Sequence, residues 1–261
     1  MNGSNIEILA GRVADLILES KKLLVFTGAG ISTESGIPDF RSPGGIWDRF
    51  DPDDFTIDKF ISDPEARRKQ WQIFGEGMLS ENAEPNAAHV AIAELHSLGK
   101  LDCVVTQNID NLHQKSGVPD EKVLELHGNM RWAICLKCGR RCSFGEIRSR
   151  LDSGEEIPER HTCRGMLKPD IVMFGEQLPV RVLEEASRRA IASDLCIVIG
   201  STLVVYPAAY IPAYAVQTGS RLVIINLSET PMDNRAEVLI NARAGETMAA
   251  IVRQVKAKIG R

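Results

Sequence analysis

The sequence predicts an α/β fold, in which helices cover both faces of a parallel sheet and a small cysteine-containing module is inserted. Short strands that are apolar throughout alternate with helices, which is typical of parallel sheets buried on both faces. A turn with two glycines follows the first strand. Four of the six cysteines fall within residues 131–165, where long apolar runs are few. These observations favour a Rossmann-like sheet with a separate insert.

The elements of the first half alternate between helix and strand. Apolar residues recur at helical spacing over residues 6–20, and an apolar strand at about 21–28 runs into the glycine turn. A loop rich in Pro, Gly and Asp follows, with a helix starting near residue 52 and another over residues 64–80. Pro85 and Asn86 open a helix that ends at Gly99. Strands are predicted over residues 101–110 and 122–130.

The second half repeats this alternation after the module. Strands are predicted over residues 171–176, 195–202 and 221–226, and helices over 180–193, 207–218 and 246–259. We therefore assign residues 1–36, 83–130 and 166–261 to a Rossmann-like domain. Residues 37–82 form a cofactor loop with a helical insert, and residues 131–165 form the small module.

Charge and hydropathy exclude several classes of protein. The chain has 261 residues, and 35 acids against 31 bases give a formal charge of -4. This balance argues against strong binding to nucleic acid or to a membrane surface. No run of 18 apolar residues predicts a membrane span. The N-terminal stretch is typical of an amphipathic helix and not of a signal peptide, so we expect a cytoplasmic protein of unknown oligomeric state.

The glycine turn over residues 27–32 has two interpretations. Two glycines after an apolar strand let backbone N–H groups approach a pyrophosphate at a helix N-terminus. Thr33 stands where the third glycine of the dinucleotide fingerprint would be, and no acid follows at the usual ribose position. Residues 34–47 then form a charged, aromatic loop. Either these segments wrap a nucleotide, or they are a plain turn and a surface loop.

Polar side chains follow four of the predicted strands, at residues 107–110, 127–129, 200–202 and 226. In an open parallel sheet, ligands bind beyond the carboxyl ends of the strands. Each group alone is compatible with an ordinary turn, and a lone histidine such as His127 is more often structural than catalytic. Together the four groups predict one shared crevice.

The motifs GAGISTESGIPDFRS, TQNIDNLHQKSG, LELHGNM, FGE and GSTLVVYPAA resemble the sirtuin deacylase pattern, in the same order and over about residues 20 to 245. The resemblance implies an NAD-dependent protein-lysine deacylase, a transferase with NAD+ as co-substrate and structural Zn2+. Its partners would be acyl-lysine peptides or proteins. Nicotinamide, free lysine and an O-acyl ester of ADP-ribose would be the products.

The same resemblance implies roles for individual residues. His127 would be the general base, and Asn108 would act beside it and order a water. The implied cofactor-binding residues are Gly28, Ala29, Gly30, Ile31, Ser32, Asp39, Phe40, Arg41, Trp47, Gln107, Asn108, Ile109, Asp110, Gly200, Ser201, Thr202, Asn226 and Leu227. The implied substrate-binding residues are Val172, Met173, Phe174, Gly175, Glu176, Val204 and Tyr206.

The cysteine module departs from the family pattern. Cys135, Cys138 and Cys163 stand at the expected positions, but Arg160 occupies the place of the fourth zinc ligand. Cys142 and His161 are the candidates for that place, and we favour Cys142 because thiolates are the commoner partners in such sites. The alternative is a degenerate site in which the cysteines merely pack.

Two positions in the sequence predict which acyl groups are preferred. Relatives that remove succinyl or malonyl groups carry a Tyr-x-x-Arg pair, where this chain has Phe74 and Gly77. Burying an unpaired carboxylate is costly, so we predict a preference for neutral acyl groups.

The rival interpretations of the whole chain are a hydride-transferring oxidoreductase, a mono-ADP-ribosyltransferase and a non-enzymatic binding module.

Overall fold

The computed structural model describes residues 3–75, 83–154 and 162–260. A six-stranded sheet, parallel throughout, forms its centre with the strand order β3-β2-β1-β7-β8-β9. These strands are β1 (Leu23–Thr27), β2 (Leu101–Thr106), β3 (Val123–Glu125), β7 (Leu195–Ile199), β8 (Arg221–Ile225) and β9 (Val238–Ile240). Because β1 pairs with both β2 and β7, the chain reverses its direction of winding there, which creates a crevice at the strand ends.

Helices cover both faces of this sheet. The α-helices are α1 (Gly3–Glu19), α2 (Ile57–Ser62), α3 (Pro64–Gly75), α4 (Ala87–Ser97), α5 (Leu112–Lys115), α6 (Phe144–Asp152), α7 (Val180–Ala192), α8 (Tyr210–Gln217) and α9 (Ala244–Ile259). Side chains of α1, α4 and α9 share one core cluster with Leu23 and Val25, while α7 and α8 share a second with Leu24 and Phe26. Successive residues of β1 therefore point to opposite faces, as expected of a strand buried on both sides.

A second, antiparallel sheet has the order β5-β4-β6, from β4 (Gly128–Cys135), β5 (Arg141–Ser143) and β6 (Leu167–Ile171). Its core cluster joins Phe60 and Trp71 of the helical insert to Ala133 and Phe144 of the cysteine module. The two inserts therefore pack on one another and share an apolar core. The predicted helix over residues 64–80 is described as far as Gly75, and residues 76–80 lie outside the described part of the chain.

Several element predictions were wrong in detail. The stretch over residues 171–176 is not a strand of the parallel sheet. The strand lies slightly earlier in the chain, as β6, and it pairs antiparallel with β4. The predicted strand over residues 122–130 divides into β3 and β4, since Gly128 adopts a φ of 76° that turns the chain between the two sheets. Helix α6 and the three-residue β9 were not predicted. None of the described helices is both long and apolar enough to span a membrane.

Candidate active site

A cavity of about 800 Å³ lies beyond the carboxyl ends of β1, β2, β7 and β8. It contains residues from each of the four polar strand-end groups. The predicted site residues in its wall are Ala29, Gly30, Ser32, Asp39, Phe40, Arg41, Trp47, Gln107, Asn108, Ile109, Asp110, His127, Val172, Met173, Phe174, Gly175, Glu176, Gly200, Ser201, Thr202, Val204, Tyr206, Asn226 and Leu227. The folded chain thus brings together segments that are separated by up to about two hundred residues.

Two predicted cofactor residues, Gly28 and Ile31, do not line this cavity. The Ile31 side chain is fully buried and packs in the core cluster of α1, α4 and α9. A Cβ atom on Gly28 would lie 2.8 Å from both the Gly200 oxygen and the Ser201 Cβ. Gly28 is therefore required by the contact between two turns of the protein, and the Ile31 side chain does not reach the cavity, while the roles of both residues in cofactor binding stay predictions.

The glycine turn is held against the turn that follows β7. The Gly30 N–H donates to the Gly200 oxygen at 2.9 Å, and the Gly28 N–H donates to the Ile199 oxygen at 3.1 Å. A Cβ atom on Gly30 would lie 2.8 Å from the Gly200 Cα. Gly200 itself has a φ of 63°, in the left-handed region that favours glycine. Close backbone packing between the turns thus fixes this part of the cavity wall.

Ser32, Asn108 and Asp110 form one hydrogen-bonded group. The Ser32 hydroxyl donates to Asp110 Oδ2 at 2.7 Å, and Asn108 Nδ2 donates to Ser32 Oγ at 3.1 Å and to the Gly28 oxygen at 3.2 Å. Asp110 also accepts from the Leu112 N–H through its other oxygen, at 3.0 Å. The group therefore fixes a carboxylate and an amide side by side in the wall, next to the glycine turn.

The backbone of Asn108 is supported from behind by a buried chain of hydrogen bonds. Its N–H donates to Thr106 Oγ1 at 3.0 Å, and the Thr27 hydroxyl donates to the same oxygen at 2.8 Å. Thr27 Oγ1 lies 2.9 Å from His113 Nε2, so with its own hydrogen used it accepts one from that nitrogen. Burial lowers the pKa of His113 well below its usual value, which favours a neutral ring.

His127 lies in the cavity wall beside Gln107. Its Nδ1 is 2.9 Å from the Gln107 carbonyl oxygen, which can only accept, so Nδ1 carries the hydrogen and Nε2 keeps a free lone pair. Burial lowers the pKa of His127 below its usual value, against the opposing effect of this hydrogen bond. The ring is therefore neutral at pH 7, in the tautomer that can accept a proton at Nε2.

In the part of the chain that the structure describes, the side chain of Gln107 leaves one hydrogen-bond donor unpaired beside the cavity. Gln107 Oε1 accepts from the Ser201 hydroxyl at 3.1 Å. Its Nε2 is buried and has no hydrogen-bond partner within the described residues. Buried polar groups are rarely left unpaired, so this free donor, in a residue of the cavity wall, fits a ligand with acceptor oxygens or nitrogens, such as a dinucleotide.

The loop after the glycine turn is ordered by its own hydrogen bonds. Asp39 Oδ1 accepts from the N–H groups of Arg41 and Ser42 at 2.9 and 2.7 Å. Although burial raises it, these bonds and the Ser42 hydroxyl hold the pKa of Asp39 below its usual value. The Phe40 ring lies 5.1 Å from the Trp47 ring, and Trp47 lies 5.7 Å from Phe174. Asp39 therefore shapes the loop, and the rings form an apolar wall.

The segment over residues 171–176 is clamped by a buried lysine. Lys168 is 3% exposed, and its Nζ donates to the Ile171 oxygen and, at 3.0 Å, to Glu176 Oε2. The same carboxylate oxygen accepts from the Met173 N–H at 3.0 Å. The Val172 N–H donates to the His127 oxygen at 2.8 Å, so this segment also fixes the backbone next to the histidine.

Some residues of the cavity wall were not predicted from the sequence. Glu34 Oε1 accepts from the Gly245 N–H at 2.8 Å, and Arg243 lies directly before α9. The signal for Arg243 is its position just after β9, at the same edge of the sheet, but that strand is only three residues long. The other unpredicted residues in the wall are Thr33, Ile37, Pro38, Ser42, Ile46, Phe55, Ile171, Leu178, Pro207, Ile225, Ser228, Ala242 and Ala244.

Three of the four predicted zinc ligands meet in the small module. The sulfur atoms of Cys135, Cys138 and Cys163 lie within 4.8 Å of one another. Cys142 is not part of this cluster: its thiol points to the Ala133 oxygen at 3.7 Å, and it packs against the core of the antiparallel sheet. The choice of Cys142 as a ligand is therefore corrected, because its place on β5 directs the side chain into that core. The other candidate, His161, lies outside the described residues.

The three-thiol cluster fits a zinc ion. The Cys163 sulfur lies 3.4 Å from that of Cys135 and 3.5 Å from that of Cys138. Tetrahedral ligation at about 2.3 Å places sulfur atoms roughly 3.8 Å apart, so a small expansion admits the ion. A Cβ atom on Gly165 would lie 2.4 Å from the Cys135 sulfur, so a glycine is needed beside the cluster. Despite desolvation, the N–H groups of Cys138 and Lys137 and the neighbouring thiols lower the pKa of Cys135 to about 7.

Comparison with known proteins identifies this arrangement. The model of the Sir2 family matches residues 28–207. The "NAD-dependent protein deacetylase" of Caldivirga maquilingensis is 44% identical over 257 residues, which cover 98% of this chain and 96% of the relative. The protein of the same name from Thermotoga maritima is 43% identical over 228 residues, which cover 87% of this chain and 90% of the relative.

Solved structures of similar proteins agree with the fold. The structure described as "Sir2-p53 peptide-NAD+" has a TM-score of 0.83 and 40% identity, and covers 95% of this chain and 98% of its own. The structure described as "Structure of Sir2Tm bound to a propionylated peptide" has a TM-score of 0.81 and 40% identity, with the same coverage.

Proposed function

The chain belongs to the Sir2 family, and on that premise we propose that it is an NAD-dependent protein deacylase that transfers the acyl group of an acyl-lysine to ADP-ribose. The observation that carries this proposal is the position of His127. It lines the same cavity as the glycine turn, and its Nε2 is free to accept a proton. An imidazole that is neutral at pH 7 suits general base catalysis.

The reaction has two stages. The amide oxygen of the acyl-lysine attacks the anomeric carbon of the nicotinamide ribose of NAD+, and nicotinamide leaves with the electrons of the broken C–N bond. His127 Nε2 then accepts the proton of a ribose hydroxyl, whose oxygen attacks the alkylated amide carbon. Addition of water completes the release of free lysine and O-acyl-ADP-ribose. Atoms balance with one NAD+, one acyl-lysine and one water per turnover.

NAD+ is held by the polar groups of the wall. Asp110 and Asn108, fixed by Ser32, would face the nicotinamide ribose and its carboxamide. The free Gln107 Nε2 would donate to the dinucleotide, and Asn226 and Ser201 would hold the adenosine half. The wall of Phe40 and Trp47 would exclude water from the reacting ribose, which strengthens electrostatic interactions there.

The acylated peptide would lie between two segments of the cavity rim. Residues 172–176, Val204 and Tyr206 all line the cavity, and the peptide would pass between these two segments. Phe174 and Val204 are 46% and 47% exposed, so apolar surface is open to a substrate there. Pairing through the peptide backbone gives affinity with little demand on sequence.

A product assay separates this proposal from hydride transfer. The protein is mixed with NAD+ and an acetyl-lysine peptide, and nicotinamide and reduced nicotinamide are both measured over time. We expect nicotinamide to accumulate only when the acylated peptide is present, without reduced cofactor. Formation of reduced nicotinamide, or release of nicotinamide at the same rate with and without the acylated peptide, would contradict the proposal.

Neutral acyl groups are expected to be preferred over succinyl. Phe74 lines the cavity and is 3% exposed, and Gly77, the other position of the cation-bearing pair, lies outside the described residues. An unpaired carboxylate against an apolar wall costs at least about 1–3 kcal/mol, or roughly 5- to 150-fold in kcat/KM. Acetyl- and succinyl-lysine peptides of one sequence are compared. Faster turnover of the succinyl peptide would refute this preference.

Acid pH is expected to inactivate the enzyme through His127. Since burial holds its pKa below the usual 6.5, the neutral ring persists at pH 7 and is lost only as the pH falls through that lower value. The profile of kcat/KM should therefore be flat near pH 7 and fall about tenfold per unit below its acid midpoint. A midpoint above pH 7 would show that another group controls the profile.

Loss of the Glu176 charge is expected to weaken peptide binding. Glu176→Gln leaves buried Lys168 without its counter-ion and weakens the hydrogen bond from the Met173 N–H. Residues 171–176 therefore lose their fixed shape. A hydrogen bond to a charged group contributes about 1.5–3 kcal/mol, so the KM for peptide should rise roughly tenfold or more. The KM for NAD+ should change little. Glu184→Gln, an exposed change on α7, is the matched control, and an equal rise in both KM values would argue against this role.

A further inference from the structure

All three tyrosines of the chain lie four residues apart, at Tyr206, Tyr210 and Tyr214. The last two are in α8, and the first is in the turn that leads into it. The ring centroids of Tyr206 and Tyr210 are 4.7 Å apart, and those of Tyr210 and Tyr214 are 6.0 Å apart. The rings therefore form one continuous row along the helix, which we call the tyrosine ladder.

Packing of the core does not account for the tyrosine ladder. The buried face of α8 consists of Ile211, Pro212 and Ala215. Tyr206 and Tyr210 are 58% and 47% exposed, and Tyr214, at the far end, packs against the second core cluster. Two large rings thus remain open to solvent in a row that is anchored at one end. Such a row is typical of a binding surface more than of a structural element.

The ladder is continuous with the cavity. Tyr206 is part of the cavity wall together with Val204, and the next ring along is already outside it. Each step of four residues is about one helical turn, so the row extends roughly 11 Å from the rim. An extended peptide covers that length with about three residues. A substrate chain that leaves the cavity on this side passes along the ladder within three residues of its acyl-lysine.

The chemistry of the rings points to a cationic occupant. The faces of tyrosine rings attract ammonium and guanidinium groups. Within the described residues, the one cation that lies over an aromatic ring is Arg49, which covers Phe50, so the faces of the ladder are not taken by the chain's own cations. The chain as a whole carries a charge of -4, which also favours a basic segment over an acidic one.

We propose that the tyrosine ladder is a specificity surface for the segment that flanks the acyl-lysine, and that it selects substrates with lysine or arginine within about three residues on one side. This inference rests on the proposed function. It adds to backbone pairing, which tolerates many sequences, a preference that depends on side-chain charge.

The test uses acetyl-lysine peptides of equal length with two lysines, two alanines or two glutamates placed on one flank or on the other. For the unaltered protein we expect kcat/KM to be about two- to fivefold higher with lysines than with alanines on one flank only, and lower still with glutamates. An acetyl-lysine substrate capped on both sides, without flanks, reports the basal reaction.

Variants of Tyr210 separate ring electrostatics from packing. Tyr210→Phe keeps the ring and should keep the preference for the lysine flank. Tyr210→Leu keeps apolar area but removes the ring, and should bring the lysine and alanine peptides to within about 1.5-fold of each other. Ile191→Ala, another exposed apolar position 53% open to solvent on α7, is the matched control and should keep the full preference. All three variants should turn over the capped substrate at the original rate.

Two results would overturn the inference. One is equal kcat/KM for the lysine, alanine and glutamate peptides on both flanks, in a protein that still deacetylates the capped substrate. The other is an undiminished lysine preference in Tyr210→Leu, which would assign that preference to the overall charge of the chain. Failure of the unaltered protein to deacetylate the capped substrate would instead refute the proposed function, so the two failures are distinguishable.

Discussion

Replacing His127 with alanine is expected to lower kcat by about 10²- to 10⁴-fold, the usual contribution of a general base. The acceptor at Nε2 disappears, and the ribose hydroxyl is left without a proton acceptor. The step that needs this acceptor comes after nicotinamide has left, so binding of NAD+ should persist. The measurement is steady-state turnover of an acetyl-lysine peptide, with NAD+ affinity determined by calorimetry.

The matched control for this variant is His96→Ala, which removes a histidine on α4 that is absent from the cavity wall. It should retain full turnover. If His127→Ala kept more than about a tenth of the original kcat, His127 would not act as the base. If it lost NAD+ affinity to the same degree, its role would be to bind the dinucleotide.

Loss of a thiol from the zinc cluster is expected to remove the metal and to unfold the small sheet. Structural zinc contributes apparent folding free energies of about 10–16 kcal/mol in small zinc peptides, so Cys163→Ser should lose nearly all bound zinc. Through the zinc ion, Cys163 joins the start of β6 to the end of β4. The core that contains Trp71 and Phe144 depends on the sheet that these strands form. Zinc content by atomic absorption and the melting temperature are both measured.

Cys142→Ala is the control for this prediction. Its thiol contacts the Ala133 oxygen and not the cluster, so zinc content should stay at one ion per chain and stability should fall by only about 1 kcal/mol. Zinc loss in Cys142→Ala equal to that in Cys163→Ser would restore Cys142 as a ligand. Retention of zinc by Cys163→Ser would contradict the cluster itself.

Patterns within one segment were enough to predict the main sheet. β1 is apolar up to its last residue and β7 is apolar at every position, and only a strand buried on both faces needs that. The three-residue β9 is apolar as well, but three residues are too few to identify a strand, and its pairing with β8 depends on a partner elsewhere in the chain. The same holds for residues 167–176, where the choice between a parallel and an antiparallel partner is made by packing against β4.

The polar strand ends were predicted from sequence because the carboxyl ends of parallel strands converge. What the sequence could not specify is the direction of individual side chains. Ile31 lies in the glycine turn but its side chain points into the core, and Cys142 has a suitable spacing but lies on the wrong side of its strand. Glu34 lies in the charged loop and Arg243 follows a strand of only three residues. Neither was predicted as a site residue, because their placement depends on how α9 docks.

The measurement that tests the central claim most directly is the stoichiometry of products in a single reaction. Nicotinamide, free lysine and acyl-ADP-ribose are quantified by mass spectrometry after one turnover of the protein with NAD+ and an acetyl-lysine peptide. If the imidazole and the glycine turn act on one dinucleotide in one cavity, the three products appear in equal amounts. Free lysine without loss of NAD+, or an acetyl group recovered only as acetate from the start of the reaction, would contradict it.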